Sequence, residues 1–478
     1  MSSHVDPFRL RATHQLSAKL TRGHVHPSVV QRLGPITWYD VKFYPHNGRG
    51  SSQVFAVTGG SLVAICRCVV ELGGDIEVIR LFEDEGIKEG NEAKAFNSLE
   101  WSRASNGDPL ICVAGGDPRI KILSVKTGEL VNTVTGHGDV GTAPHCAHWF
   151  LFPHHLTNIF QVVADLALSP ANPSYLASAS YDHTIRLWSL DPDHQTKPTA
   201  TLLFGGGHDR QVLTVGWHQN GKYLLSGGMD TQLNLWTIPD TVNETLGTDH
   251  PARIYYPHFS SKEIHHDYID CVRFYGDLIL SRAAKDDKIL LWRIDAFDSS
   301  KDPPAAPPLP PSQAVYSDET VYVAAAQVPR TRSAWGGKFQ RLLQFHHPNA
   351  ARFYIRFGLL QAPGMHPVLG VGNEKHRVSF WDLQKLESAG LGQDVVVVEK
   401  KKEKKEKSPP KAPPGTRYLT TGISDPLKSI VPHTTVQLQG PKFTIQQVAF
   451  SPDGRWCVAV GNEDMGAVFS RWEDGFPE

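Results

Sequence analysis

Apolar and polar positions alternate along most of this chain in short runs, and the runs end at Gly, Pro, Asn, Asp or Ser. A period of two turns one face of each run towards a core and the other outwards, so the runs predict β-strands rather than helices. In Val162-Val-Ala-Asp-Leu-Ala-Leu-Ser-Pro-Ala-Asn-Pro the alternation stops at a Pro/Asn turn, and Tyr175-Leu-Ala-Ser-Ala-Ser starts the next strand. Ser451-Pro-Asp-Gly-Arg-Trp repeats that turn chemistry later in the chain. Grouped this way, the strands predict seven cores: Val41–Cys68, Ser98–Val125, Val162–Leu190, Val212–Ile238, Ile269–Ile294, Phe353–Leu383 and Ile445–Glu473.

Three of these cores share a motif. Ser178-Ala-Ser-Tyr-Asp182-His-Thr-Ile-Arg-Leu-Trp188 is followed by Ser226-Gly-Gly-Met-Asp230-Thr-Gln-Leu-Asn-Leu-Trp236 and by Ser281-Arg-Ala-Ala-Lys-Asp286-Asp-Lys-Ile-Leu-Leu-Trp292. The first two Trp residues are 48 apart, and a β-prone run leading into an Asp and then a Trp is an internal repeat of the WD40 kind, whose period is about 40–45 residues with four strands per propeller blade. The fold class expected is all-β: a seven-bladed WD40 β-propeller occupying 35–478. A ring must close, so the segment 1–34 is expected to lend a strand, from within Phe8–Pro35, to the last blade and so remove an exposed sheet edge.

Three stretches exceed what blades need: a His-rich insertion at 139–158, a second at 295–337 containing Pro303-Pro-Ala-Ala-Pro-Pro-Leu-Pro-Pro, and a third at 387–431 carrying a Lys/Glu/Pro tract. Such compositions bury little apolar surface, and mobile excursions between strands are expected. The 48 basic residues nearly balance the 49 acidic ones, giving net charge −1. Bulk electrostatics therefore favours no nucleic acid, and no sequence-specific nucleic-acid binding is expected. The six cysteines follow no disulfide spacing and point to a reducing compartment. With no signal-like start and no apolar run of about 20 residues, a soluble intracellular protein without membrane attachment is expected.

Candidate chemistry is sparse. His208, Ser226, Asp230 and Trp236 include the residue types of a hydrolytic triad, but His137, Ser178, Asp182 and Trp188 repeat them one blade earlier. A site that recurs with the blades is scaffold, and no catalytic residue is assigned. His145, Cys146, His148, His154 and His155 match no zinc spacing, so no metal is assigned; no phosphate-binding glycine loop occurs, and no cofactor is expected. Aromatic residues fall at strand starts instead: Tyr39 before the first blade, Phe96 before the second, and Phe353 with Tyr354 opening the sixth. Strand starts converge near the mouth of a propeller's channel. Rings that meet there can enclose a methylated ammonium, while rings that do not are core residues.

Arg253-Ile-Tyr-Tyr-Pro-His-Phe-Ser-Ser-Lys-Glu-Ile-His-His-Asp-Tyr-Ile-Asp-Cys-Val-Arg-Phe-Tyr-Gly-Asp-Leu-Ile-Leu-Ser281 resembles the fourth-to-fifth blade segment of the EED, or extra sex combs, family, the WD-repeat subunit of Polycomb repressive complex 2. Tyr39-Asp-Val-Lys-Phe43, Phe204-Gly-Gly-Gly-His-Asp-Arg-Gln-Val-Leu and Phe353-Tyr-Ile-Arg-Phe357 extend the likeness in order from about Pro35 to Trp472. The resemblance implies a nuclear, non-enzymatic chromatin scaffold that reads the trimethylated lysine of a histone H3 tail. Its implied partners are an Enhancer of zeste-type SET-domain methyltransferase, which it stimulates, and the other subunits of that complex. Carried over by position, Tyr39 forms one cage wall and Phe353, with Tyr354 beside it, another, Phe353 standing where the family has Trp. In the second blade the strict match to the family's cage Tyr is Asn97, with Phe96 one residue earlier, and a one-residue slip reverses the face. Arg273 and Arg356 match basic positions near the family's peptide groove. The alternative class is a WD40 substrate adaptor of a ubiquitin ligase or another multiprotein assembly.

Overall fold

A computed structural model describes residues 8–20, 35–48, 52–69, 75–84, 95–138, 162–310, 329–390 and 425–471. These form seven sheets, each with four antiparallel strands; three of the sheets add a fifth strand at the outer edge, parallel in two cases. Blade one holds Trp38–Phe43, Val54–Gly59, Leu62–Val69 and Asp75–Glu83. Blade two holds Phe96–Arg103, Pro109–Gly115, Ile120–Ser124 and Leu130–Val134. The innermost strands of the others are Val163–Leu168, Val212–Trp217, Ile269–Tyr275, Gly358–Leu360 and Ile445–Phe450. In the last blade the outermost strand is Arg9–Gln15 from the beginning of the chain, paired antiparallel with Met465–Ser470.

Both faces of each sheet are covered, which is why many of the strands are buried along their whole length rather than on alternate positions. Apolar side chains gather into seven clusters among the described residues, one at each junction between neighbouring blades. The cluster joining blades one and seven, for example, packs Trp38, Val41, Phe55 and Val57 against Trp456, Val458 and Val468. No blade has a core of its own, so the ring is the cooperative unit.

The repeated motif locks individual blades. Trp188 Nε1 donates to Ser178 Oγ at 2.7 Å, His137 Nε2 lies 2.6 Å from the same oxygen, and His137 Nδ1 lies 2.7 Å from Asp182 Oδ2. Trp236, Ser226, His208 and Asp230 repeat the arrangement. A third copy uses Trp292, Ser281, His265 and Asp286. The third histidine is not flagged by sequence because Ile264, rather than Gly, precedes it. Where the glycine occurs it is needed: a Cβ on Gly207 would sit 2.2 Å from the Trp236 ring.

Two expectations need revision. Phe353 and Tyr354 do not open a strand; they form a turn ahead of Gly358–Leu360, and Tyr354 has φ 63°. The first part of the second insertion, 295–310, is packed rather than free. Phe297 lies 5.0 Å from Tyr223 and 5.1 Å from Trp335, Asn220 Nδ2 donates to Ser299 O, and His258 Nε2 lies 3.1 Å from Pro304 O. Aromatic anchors flanking the proline run supply the burial that the run lacks. The insertion at 139–158, the stretch 311–328 and the Lys/Glu/Pro tract lie outside the described residues, while the flanks of the third insertion form the helix Leu383–Gly390 and the short strand Ser429–Ile430.

Candidate functional site

A register shift recurs at the start of the inner strand in six blades, leaving one residue unmatched on the partner strand: Tyr39, Asn97, Ala164, Leu213, Asp270 and Gln446. A bulge of this kind re-aims the extra residue. Here it turns the Tyr39, Asn97 and Gln446 side chains to the mouth of the channel, where they line one cavity. The Ala164 and Leu213 carbonyls accept from Arg356 Nη2 below it, at 2.9 and 3.4 Å.

The cavity has a volume of about 520 Å³ and gathers Tyr39, Tyr181, Tyr268, Phe353 and Tyr354 from four places in the ring. Tyr39 meets Tyr354 edge-on with ring centroids 6.2 Å apart, and Phe353 lies 4.9 Å from Tyr354. The Tyr181 and Tyr354 hydroxyls are 3.3 Å apart, and the Arg356 guanidinium carbon lies 5.4 Å from the Tyr354 ring centre. Burial raises the Tyr354 hydroxyl well above its ordinary value, with Tyr181 adding to the effect. The ring therefore stays neutral. Its left-handed backbone, rare for a bulky residue, is held by this packing and marks a constrained position. Phe353 remains 43% exposed and Tyr268 36%, so both present ring surface to an entering group. At the rim Lys285 pairs with Asp267 at 3.2 Å.

Beneath the cavity lies a buried charge network. Asp165 Oδ1 accepts from Arg356 Nη1 at 2.9 Å and from Ser98 Oγ at 3.3 Å, while Oδ2 accepts from Thr214 Oγ1 and Val215 N. Burial opposes ionisation of Asp165, but Arg356, Arg273 and Lys42 outweigh it and hold the carboxyl below its ordinary range. Lys42 in turn donates to Glu100 at 2.8 Å and to the Leu166 carbonyl.

Of the residues expected at the site, Tyr39, Phe353 and Tyr354 meet at the cavity. Phe96 does not: it is 4% exposed and packs with Ile65, Leu99 and Val113 between blades one and two. The bulge falls on Asn97, so Asn97 faces the mouth and Phe96 the core. Arg356 does not lie in an open groove either; it is 1% exposed and fixed to Asp165. Arg273 points into the channel, donating to the Val215 and Val272 carbonyls. Tyr181 and Tyr268 were missed. Tyr181 carries a legible signal, because it directly precedes Asp182 in the repeat motif, and Lys285, directly preceding Asp286, lines the same cavity.

The Ser/His/Asp sets are consumed by the blade networks, with each serine hydroxyl bound to a Trp and a His inside a blade. No group of His, Cys, Asp or Glu among the described residues is placed to hold a metal ion. His145, Cys146, His148, His154 and His155 lie outside those residues. No helix among the described residues is long and apolar enough to cross a membrane.

A ring of WD-type blades defines a WD40 propeller, and the family of WD domain, G-beta repeats matches residues 149–189, 196–237 and 432–467. The Polycomb protein EED of Chaetomium thermophilum is 41% identical over 354 residues, 73% of this chain, and the chain spans 57% of that protein's length. The Polycomb protein esc of Drosophila melanogaster is 23% identical over 368 residues, covering 74% of this chain and 71% of its own. A chain of the crystal structure of Chaetomium thermophilum Polycomb repressive complex 2 superposes with TM-score 0.77 at 31% identity over 100% of both chains. A chain of that complex solved with H3K27me3 gives TM-score 0.76 at 31% identity, covering 98% of this chain and 99% of its own. The chain belongs to the EED/extra sex combs family of Polycomb proteins.

Proposed function

We propose that this protein is a non-catalytic nuclear scaffold of a Polycomb repressive complex that binds the trimethylated lysine of a histone H3 tail in the aromatic cavity. In this reading it holds and stimulates an Enhancer of zeste-type methyltransferase subunit. The convergence of Tyr39, Phe353 and Tyr354 on one open cavity carries the proposal. A methylated ammonium sheds water readily and gains ~0.5–2 kcal/mol of cation–π attraction at such faces. The likeness to a chain of a complex solved with H3K27me3 supports the choice of ligand. Family membership disfavours the ubiquitin-ligase adaptor.

In this reading the network of Asp165 and Arg356 stiffens the cavity floor, so the rings are preorganised rather than gathered by the peptide. The chain contributes binding energy and no reacting group. Calorimetric titration of the isolated protein with unmodified and H3K27me3 peptides tests the reader function, and addition of the protein to a SET-domain subunit tests the stimulation. Equal affinity for the two peptides overturns the first. Methyl transfer by the single chain overturns the assignment as a scaffold.

A further inference from the structure

The wall between the aromatic residues is made of amides. Tyr39 sits on the bulge of blade one, and the same bulge in the blades on either side presents Asn97 from blade two and Gln446 from blade seven. All three line the cavity. Asn97 Oδ1 and Gln446 Oε1 are both buried, and neither accepts a hydrogen bond among the described residues. Gln446 as a whole is 7% exposed. Buried amide oxygens are normally paired, and each one left without a donor is a cost to the fold. The two oxygens lack a donor among the described residues, and both side chains line the cavity that an entering group would occupy.

A donor suited to them exists within the ligand class already proposed. Trimethyl-lysine carries no N–H. Dimethyl-lysine, protonated at neutral pH like any alkylamine of its basicity, keeps one. In a cavity walled by rings alone that N–H would lose its water and gain no acceptor, so such walls favour the trimethyl form. Against an amide oxygen the same N–H forms a charge-assisted hydrogen bond, among the stronger kinds in proteins.

Resting on the methyl-lysine reading of the cavity, we propose that Asn97 and Gln446 make it take dimethyl-lysine at least as tightly as trimethyl-lysine, by accepting the N–H that the dimethylammonium retains. The two amides are specificity-determining residues, and the rings of Tyr39, Phe353 and Tyr354 supply attraction common to both methyl states. The protein then responds to the penultimate product of lysine methylation as well as to the final one.

The test is calorimetric titration of the full chain with H3 peptides carrying un-, di- and trimethyl-lysine, for the parent, Asn97→Ala, Gln446→Met and the double variant, each checked for an unchanged melting transition. Asn97→Tyr, which puts an aromatic ring in place of the amide, removes the same acceptor and is expected to shift the ratio in the same direction. In the parent the dimethyl dissociation constant is expected to be equal to or below the trimethyl one. The double variant is expected to shift that ratio about tenfold towards trimethyl, the size of one such hydrogen bond, with trimethyl affinity within about twofold of the parent. Should Gln446→Met unfold the ring, Asn97→Ala and Asn97→Tyr still report the ratio. A parent that prefers trimethyl-lysine by the same ratio as the variants overturns this inference and leaves the reader function standing. Indifference of every protein to methylation removes the methyl-lysine reading itself.

Discussion

Arg356 joins the cavity floor to the middle of the ring, and its replacement by Met offers a quantitative test of that role. The guanidinium is 1% exposed; it pairs with Asp165 Oδ1 at 2.9 Å and donates to the Ala164 carbonyl at the same distance. Methionine matches its length but leaves Asp165 without its nearest cation, and breaking a buried pair from one side costs ~3–5 kcal/mol. Asp165 keeps the Thr214 and Ser98 hydroxyls, and Lys42 and Arg273 still act on it. The loss is therefore expected at the lower end, ~3 kcal/mol. Asp165→Asn should cost at least as much, because it strips the charge that balances Arg356 and disturbs contacts to blades two and four. The double variant should recover at least ~1 kcal/mol relative to the sum of the single losses, since neither charge is then left alone. Urea unfolding followed by tryptophan fluorescence measures all three against the parent. Additive losses, or a loss from Arg356→Met below ~1 kcal/mol, would show that the pair does not hold the ring's centre and that Tyr354 gains no support from it.

Phe353→Ala removes one exposed ring and should weaken H3K27me3 peptide binding about tenfold, equivalent to ~1.4 kcal/mol, while the melting transition stays put; calorimetry and a thermal scan read both. Deleting residues 1–15 removes the outer strand of blade seven, and a fall in melting temperature of several degrees is expected together with association through the bared Met465–Ser470 edge, read by scanning calorimetry and light scattering. His347, buried against the Gly372 carbonyl, has its pKa pushed down to about 3 by burial, with Arg282 adding to the effect. Between pH 6.5 and about 3 the unfolded chain binds a proton there that the folded chain does not, so stability falls as pH falls through that window. The urea midpoint should be lower at pH 5 than at pH 7, and His347→Gln should flatten the difference.

The ring was legible because its local signals agree. Period-two runs, turn residues and the Asp–Trp motif of blades three, four and five all point to the same strands, and the family likeness reached Tyr39, Phe353 and Tyr354. Phe96 and Asn97 show where such reading stops. Which of two adjacent residues faces the cavity depends on a bulge, and a bulge is a matter of pairing with Gly115 and Ala114 that no run of side chains announces. Arg356 failed for a different reason: its basic character suggested an open groove, whereas its fate was decided by Asp165, far away in sequence and brought under it only by closure of the ring. Long separations likewise conceal the packing of 295–310, whose anchors Phe297 and Trp335 flank a proline run that by composition alone looks unfoldable.

The strand Arg9–Gln15 also sets the order of events during synthesis. Its partner, Met465–Ser470, is synthesised about 450 residues later, and contacts such as Arg11 Nε to Ser470 Oγ span 459 residues. Domains tend to assemble as their N-terminal parts emerge, but the strand Arg9–Gln15 has nothing to join until Met465–Ser470 has been made. Through that interval the first strand and the inner blades are an open arc with two unsatisfied edges, the species most exposed to chaperones and to mispairing with a second nascent chain. Relocating the ends by circular permutation, so that Arg9–Gln15 follows Ser470 directly, would turn the last and slowest pairing into a local hairpin, with the finished ring unchanged.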